Sequence, residues 1–205
     1  MKKFELTAES KINIFGKKLF RIKALISFGD VEEGETGGWI EKEENLEQSS
    51  GDAWVYGDAE VYGNAEVYGN ARVSGDAWVY GNAEVYGNAR VSGNARVSGD
   101  AEVSGDAWVY GNAEVYGNAR VSGNAEVSGN ADYTTIHGFG TQFRTTTFFQ
   151  CEDKQIRVSC GCFLGTIPEF REQVKNTREG KIVEEYLMIA DLMEKHFVKE
   201  KESGE

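Results

Sequence analysis

From Gly51 to Gly129 a glycine stands at every sixth position, fourteen times without a slip, and the letters between read Asn/Asp, Ala, a variable residue, Val, then Tyr/Ser. A fixed period this short means that no unit can bury an apolar face by itself, so neighbouring units must stack. Six is not a helical period. Val55, Val61, Val67 and Val73 would spread around an α-helix, and each glycine in it would cost about 1 kcal/mol. Strand is the consistent reading. The alternation in Ala-x-Val-Tyr puts Ala53 and Val55 on one face and Trp54 and Tyr56 on the other. The Gly-Asn or Gly-Asp that follows is turn chemistry, so short strands and corners must alternate and the chain must coil.

Val-Tyr-Gly-Asn-Ala-Glu resembles the hexapeptide motif of left-handed parallel β-helices, with thirteen complete units over residues 51–128. The resemblance implies left-handed winding and three hexads per triangular coil, so that residue i stacks on residue i+18. It also implies an interior of valine and alanine. Hexapeptide β-helices include acyltransferases that rely on a catalytic histidine, yet the hexads contain no histidine and no inserted loop. A histidine-ligated metal enzyme of this shape would need three histidines, and the chain has two, His137 and His196. The expectation is therefore a protein that is not an enzyme and uses no cofactor, with an acyltransferase relative as one alternative.

Residues 51–132 form the expected β-helix, residues 1–50 an N-terminal β cap, and residues 133–205 an α+β C-terminal domain, because open strand edges at both ends of a β-helix must be covered. "KINIFGKKLFRIKALISF" alternates around Gly16-Lys17-Lys18, which predicts a hairpin, and Trp39 and Ile40 are expected plugs. "RTTTFFQCED" and "KQIRVSCGCF" read as strands. Two helices follow, Pro168 to about Thr177 and Lys181 to Val198. In the second, Val183, Tyr186, Leu187, Ala190, Met193 and Phe197 share a stripe that must pack on the chain's own strands or on a second copy.

On the outer faces, eighteen-residue steps stack Trp54, Arg72, Arg90 and Trp108, a row suited to cation-π pairing. They stack Glu60, Trp78 and Arg96 on a second face, with Tyr62 and Tyr80 beside them, and Glu66, Glu84 and Glu102 on a third. The block Asp76–Val97 recurs nearly unchanged at Asp106–Val127, displaced by thirty residues. Thirty is not a multiple of eighteen, so duplication scrambles the outer rows while keeping the core. Binding is therefore expected on a local patch: Trp78, Tyr80 and Tyr62, with Trp54, Arg72, Arg90, Trp108, Glu66, Glu84 and Glu102 as further candidates. Tyrosines at 56, 62, 68, 80, 86, 110 and 116 are all expected to point outward.

The formal net charge is −12, and two thirds of the excess lies in residues 51–132, which carry 4 basic and 12 acidic side chains. Nucleic acid is an unlikely ligand for such a surface. No apolar run approaches the roughly 18 residues that span a bilayer, and three cysteines at 151, 160 and 162 suit a reducing compartment. Those cysteines with His137 could supply four zinc ligands, but Cys-x-Cys lacks the usual spacing; a buried, reduced set is expected and no metal is assigned. The "GGWIEKEENL" leader and the "GCFLGTIPEF…EEY" tail resemble bacteriophage and prophage proteins of Gram-positive bacteria. That implies the cytoplasm of a bacterial host. The functional expectation is a self-associating inhibitor of a bacterial defence system that binds a host protein through the aromatic and acidic β-helix faces or through the C-terminal domain. A sponge holding a signalling nucleotide between subunits, by Arg72, Arg90 or Arg96, is the other alternative.

Overall fold

The computed structural model describes residues 2–197. Each hexad contributes one two-residue strand, from β4 (Trp54–Val55) to β16 (Glu126–Val127). The pairing is parallel at eighteen-residue steps, with Arg72 on Arg90 and Val73 on Val91, and likewise Trp78 on Arg96 and Val79 on Val97. Three hexads thus close one triangular turn, and three parallel sheets form the sides of a β-solenoid of about five turns. Every valine from Val55 to Val127 and every alanine from Ala53 to Ala125 on the inward positions is buried. Burial of side chains this size stabilises by about 1.5–3 kcal/mol for each valine, which is how a repeat poor in leucine has a continuous core. Outward residues donate their N–H along the column, as from Trp54 to the Ala71 carbonyl at 3.0 Å and from Tyr56 to Val73 at 2.8 Å. At the corners, asparagines form ladders: Asn64 donates to Asn82 at 3.2 Å, and Asn82 donates to Asp100 at 2.8 Å.

The winding reaches further toward the N terminus than the hexads do. Strand β3 (Thr36–Ile40) pairs in parallel with Glu60–Val61, and Leu46 bridges to Val67, so residues 36–47 lay down part of an earlier turn. The expected hairpin is β1 (Phe4–Ile12) and β2 (Lys18–Ala24), turning through Gly16, and it extends the β3 side by antiparallel pairing. Ile40 does plug the column, but Trp39 faces outward, packed with Leu19 and Tyr62. The first turn leaves carbonyls pointing at this end, and buried or half-buried polar side chains satisfy them. Lys3 Nζ donates to Ala53 at 3.1 Å, Asn45 Nδ2 to Ala65 at 2.8 Å, and Arg21 to Gly57 at 2.6 Å.

At the other end the orphan groups are N–H donors. Arg120 N finds Thr147 Oγ1 at 2.9 Å, Glu114 N finds Asn130 Oδ1 at 2.8 Å, and Ser128 N finds Asp132 Oδ2 at 2.9 Å. The closing element is an antiparallel sheet of β17 (Tyr133–Phe139), β18 (Arg144–Gln150), β19 (Ile156–Cys160) and β20 (Phe163–Thr166). Tyr133 and Phe149 from it, with Cys151 just past β18, complete the solenoid core. Its other face packs on α1 (Ile167–Thr177) and α2 (Lys181–His196). Thr166 caps α1 reciprocally with Glu169, and Pro168 stands in the first turn. The α2 stripe packs on the chain's own strands, with Tyr186, Ala190 and Met193 buried beside Phe148 and Phe170. The expected end of that helix at Val198 lies outside the described residues.

Candidate binding surfaces

The proposed patch of Trp78, Tyr80 and Tyr62 exists as a cluster, but the chain itself occupies part of it. Tyr62 and Tyr80 stack at 5.2 Å with ring planes 6° apart. Phe15, from the tip of the β1–β2 hairpin, packs within about 6 Å of Tyr62, Trp78 and Tyr80. Tyr62 is consequently only 4% exposed, so its expected place on an open surface is corrected. The hexad pattern separates the inside of the coil from the outside and says nothing of what folds back over the outside. Burial also pushes the Tyr62 hydroxyl pKa up.

Trp54 is corrected for the same reason. It lies outside the coil axis, yet it is fully buried between Phe4 and Phe28 of the N-terminal segment. The row beside it does not form the expected arginine–indole series. Arg72 instead pairs with Asp30 at 2.8 Å, and the same carboxylate accepts from Tyr56 OH at 3.0 Å, tying the N-terminal loop to the first turns. Trp108 stacks on Tyr110 at 4.3 Å and donates to Ser92. Arg90 lines a cavity of about 280 Å³ with Trp108, Asp106, Glu126 and Glu152. The arginine over a hexad indole is Arg96, 4.7 Å from the Trp78 ring centre, and it also pairs with Glu114 at 3.2 Å. Of the three arginines proposed for a nucleotide, two are therefore held by carboxylates.

The glutamate row is largely answered from within. Tyr68 OH donates to Glu84 at 2.7 Å, and Arg120 pairs with Glu102 at 2.8 Å. Burial first, and then the Glu84 carboxylate, push the Tyr68 pKa up. Tyr68 and Tyr86 stack at 4.9 Å. Glu66 stays exposed and borders a cavity of about 510 Å³ that Glu43, Glu44 and Glu47 also line.

The three cysteines and His137 do not come together at one point, although His137 and Cys162 border a common cavity. Cys151 belongs to the solenoid core, where burial pushes its thiol up to about 11. Cys160 accepts from Thr146 Oγ1 at 3.2 Å beside the second core, and Cys162 is exposed. Cys160 ends β19 and Cys162 precedes β20, so they flank a turn and do not share a strand face. Among the described residues no group of three or more His, Cys, Asp or Glu is placed to hold a metal ion.

What the sequence missed is the hairpin tip. Ile12, Ile14 and Phe15 are 73%, 77% and 57% exposed, and Phe15 packs directly against Trp78 and Tyr80. The signal was present in "KINIFGKK", where apolar residues reach into a turn that ordinarily stays polar.

The repeats are similar to the YdcK beta solenoid repeat, whose family model matches residues 65–81, 83–99, 89–105, 95–111 and 113–129. The chain is a β-solenoid repeat protein. The matched segments lie within the column and amount to less than half of the chain. No curated protein matches it at a significant level. Among the described residues no helix is long and apolar enough to cross a membrane.

Proposed function

We propose that the protein is a non-enzymatic binding module whose stiff column presents an apolar surface, the β1–β2 hairpin tip with Trp78 and Tyr80, to a host protein. One observation carries this reading: three large apolar side chains stand exposed at a loop that is firmly anchored. Lys11 and Asn13 both hold the buried Glu60 carboxylate, at 2.9 and 3.1 Å, and Lys17 holds Glu41 at 3.1 Å. Aromatic and aliphatic residues on a pre-organised support are the composition of interface centres. Arg96 and Glu114 give the surface a polar rim. Left-handed winding, a phage relationship, the bacterial cytoplasm and interference with a defence system belong to the same proposal. They rest on the resemblance of the hexads, leader and tail.

The test is affinity capture from host-cell lysate with the wild-type chain and with Ile14→Asp, a fully surface change that leaves the melting curve in place. A host protein retained by the wild type and lost by the variant is the expected result. Equal capture by both rejects the surface. Sedimentation showing a dimer that Ile14→Asp dissociates would reassign the surface to self-association and overturn the host-protein reading.

A further inference from the structure

At the far end of the column from the hairpin tip, a cavity of about 650 Å³ opens where the last solenoid turn meets the C-terminal sheet. It draws on three separate stretches of chain. Arg120 comes from the final strand of one solenoid side. His137, Phe143 and Arg144 come from the β17–β18 hairpin, and Gly161 and Cys162 from the β19–β20 turn. The Arg120 backbone is fixed by Thr147, and its guanidinium by Glu102. Arg144 lies over Gly161 so closely that a methyl group there would overlap the guanidinium.

Three observations point to the same class of ligand. First, the lining has two guanidiniums and an imidazole in a chain whose formal charge is −12; Glu102 pairs with Arg120 from outside the lining, which leaves Arg144 as the unanswered charge. Second, among the described residues Arg144 makes no ion pair and no side-chain hydrogen bond, so its five donors remain available. Third, Phe143 adopts a left-handed backbone with φ 49° while its ring stays 64% exposed. That conformation is costly for a bulky residue, and the solvent-exposed ring returns no packing energy. An aromatic face beside an unpaired guanidinium suits a flat base carrying phosphate, and the volume falls in the range of ordinary ligand pockets.

We infer that this cavity binds a free nucleotide, with Arg144 on the phosphate and Phe143 against the base. The site shares no residue with the hairpin-tip surface and stands independently of it. The acidic solenoid beside it opposes a polymer of phosphates, which selects a small ligand over nucleic acid.

Calorimetry of the full chain tests this with adenosine and guanosine mono- and triphosphates, their 3′,5′-cyclic forms, inorganic phosphate, the bare nucleosides and a short single-stranded oligonucleotide. At least one nucleotide should bind, and at least tenfold more tightly than phosphate or nucleoside alone. Arg144→Ala should weaken it at least tenfold and Phe143→Ser several-fold, while Arg90→Ala leaves it unchanged. Both side chains at 143 and 144 are exposed, so the variants keep the fold; circular dichroism confirms it. No heat from any nucleotide at millimolar concentration overturns the inference. So does binding that both variants leave intact, or an oligonucleotide that binds more tightly than every nucleotide.

Discussion

Stacked glycines at the corners should make two chemically identical substitutions unequal. Gly87 has φ 69° and Gly117 has φ 68°, so alanine at either position meets the same left-handed penalty, about 1–2 kcal/mol for an L-residue. Their surroundings differ. A Cβ on Gly87 would sit 3.0 Å from Gly105 N and 3.2 Å from Gly105 O in the next turn, whereas one on Gly117 meets nothing within 4 Å. The Gly105 backbone is held in its own ladder and cannot withdraw, so forced overlap adds about 1–3 kcal/mol. Reduced freedom of the unfolded chain returns about 0.5 kcal/mol in both variants. Gly87→Ala is therefore expected to cost about 2–4 kcal/mol and Gly117→Ala about 1 kcal/mol. Urea unfolding followed by circular dichroism reads the difference as a shift in midpoint at constant slope. Equal shifts for the two variants would refute close stacking of the corners.

Removal of the buried amide in Asn45→Ala leaves the Gly63 and Ala65 carbonyls and the Lys42 N–H without partners. It should cost about 2–4 kcal/mol, whereas Asn94→Ala in an exposed corner ladder should stay within about 0.5 kcal/mol; urea midpoints distinguish them. Acid should loosen the N-terminal collar. Around Glu41, burial raises the carboxyl pKa, but the Gly63 N–H and Lys17 outweigh it and leave the value depressed; the Ser50 hydroxyl and then the Gly69 N–H depress Glu47. A depressed carboxyl contributes stability that is complete above its unfolded pKa of about 4.3 and is lost as pH falls through the folded value. The Gly63 and Gly69 amide resonances should move together in that acidic window. Resonances that hold still down to pH 3 would show that these carboxylates do not brace the turn.

The hexads told which side chains face inward because their chemistry alternates with the pleat, and Val61 and Val79 are buried as that alternation requires. They could not tell what covers the outside. Trp54, Glu60 and Tyr62 are outward residues buried by Phe4, Phe15, Leu19, Phe28 and Trp39, and the placement of those five depends on long-range pairing of β1, β2 and β3. Arg96 meets Trp78 where Arg72 fails to meet Trp54, because Asp30, in a loop without periodicity, competes for Arg72. The pocket around Arg144 was invisible for a related reason. Its residues come from three stretches that only the junction of solenoid and sheet brings together, and Phe143 gives no hint in the sequence of its unusual backbone.

Recognition at the two ends of an interchangeable column is most directly tested by deletion of residues 88–105, one full eighteen-residue turn. Gly87 then joins Asp106 in phase, and Val73 should stack on Val109 in the place Val91 had. The expected result is a cooperatively folded protein that binds nucleotide as the full chain does and still captures the same host partner, more weakly because Arg96 leaves the rim beside Trp78 with the deleted turn. A deletion variant that folds but has lost both activities would place recognition in the repeats, and one that cannot fold would contradict the eighteen-residue winding itself.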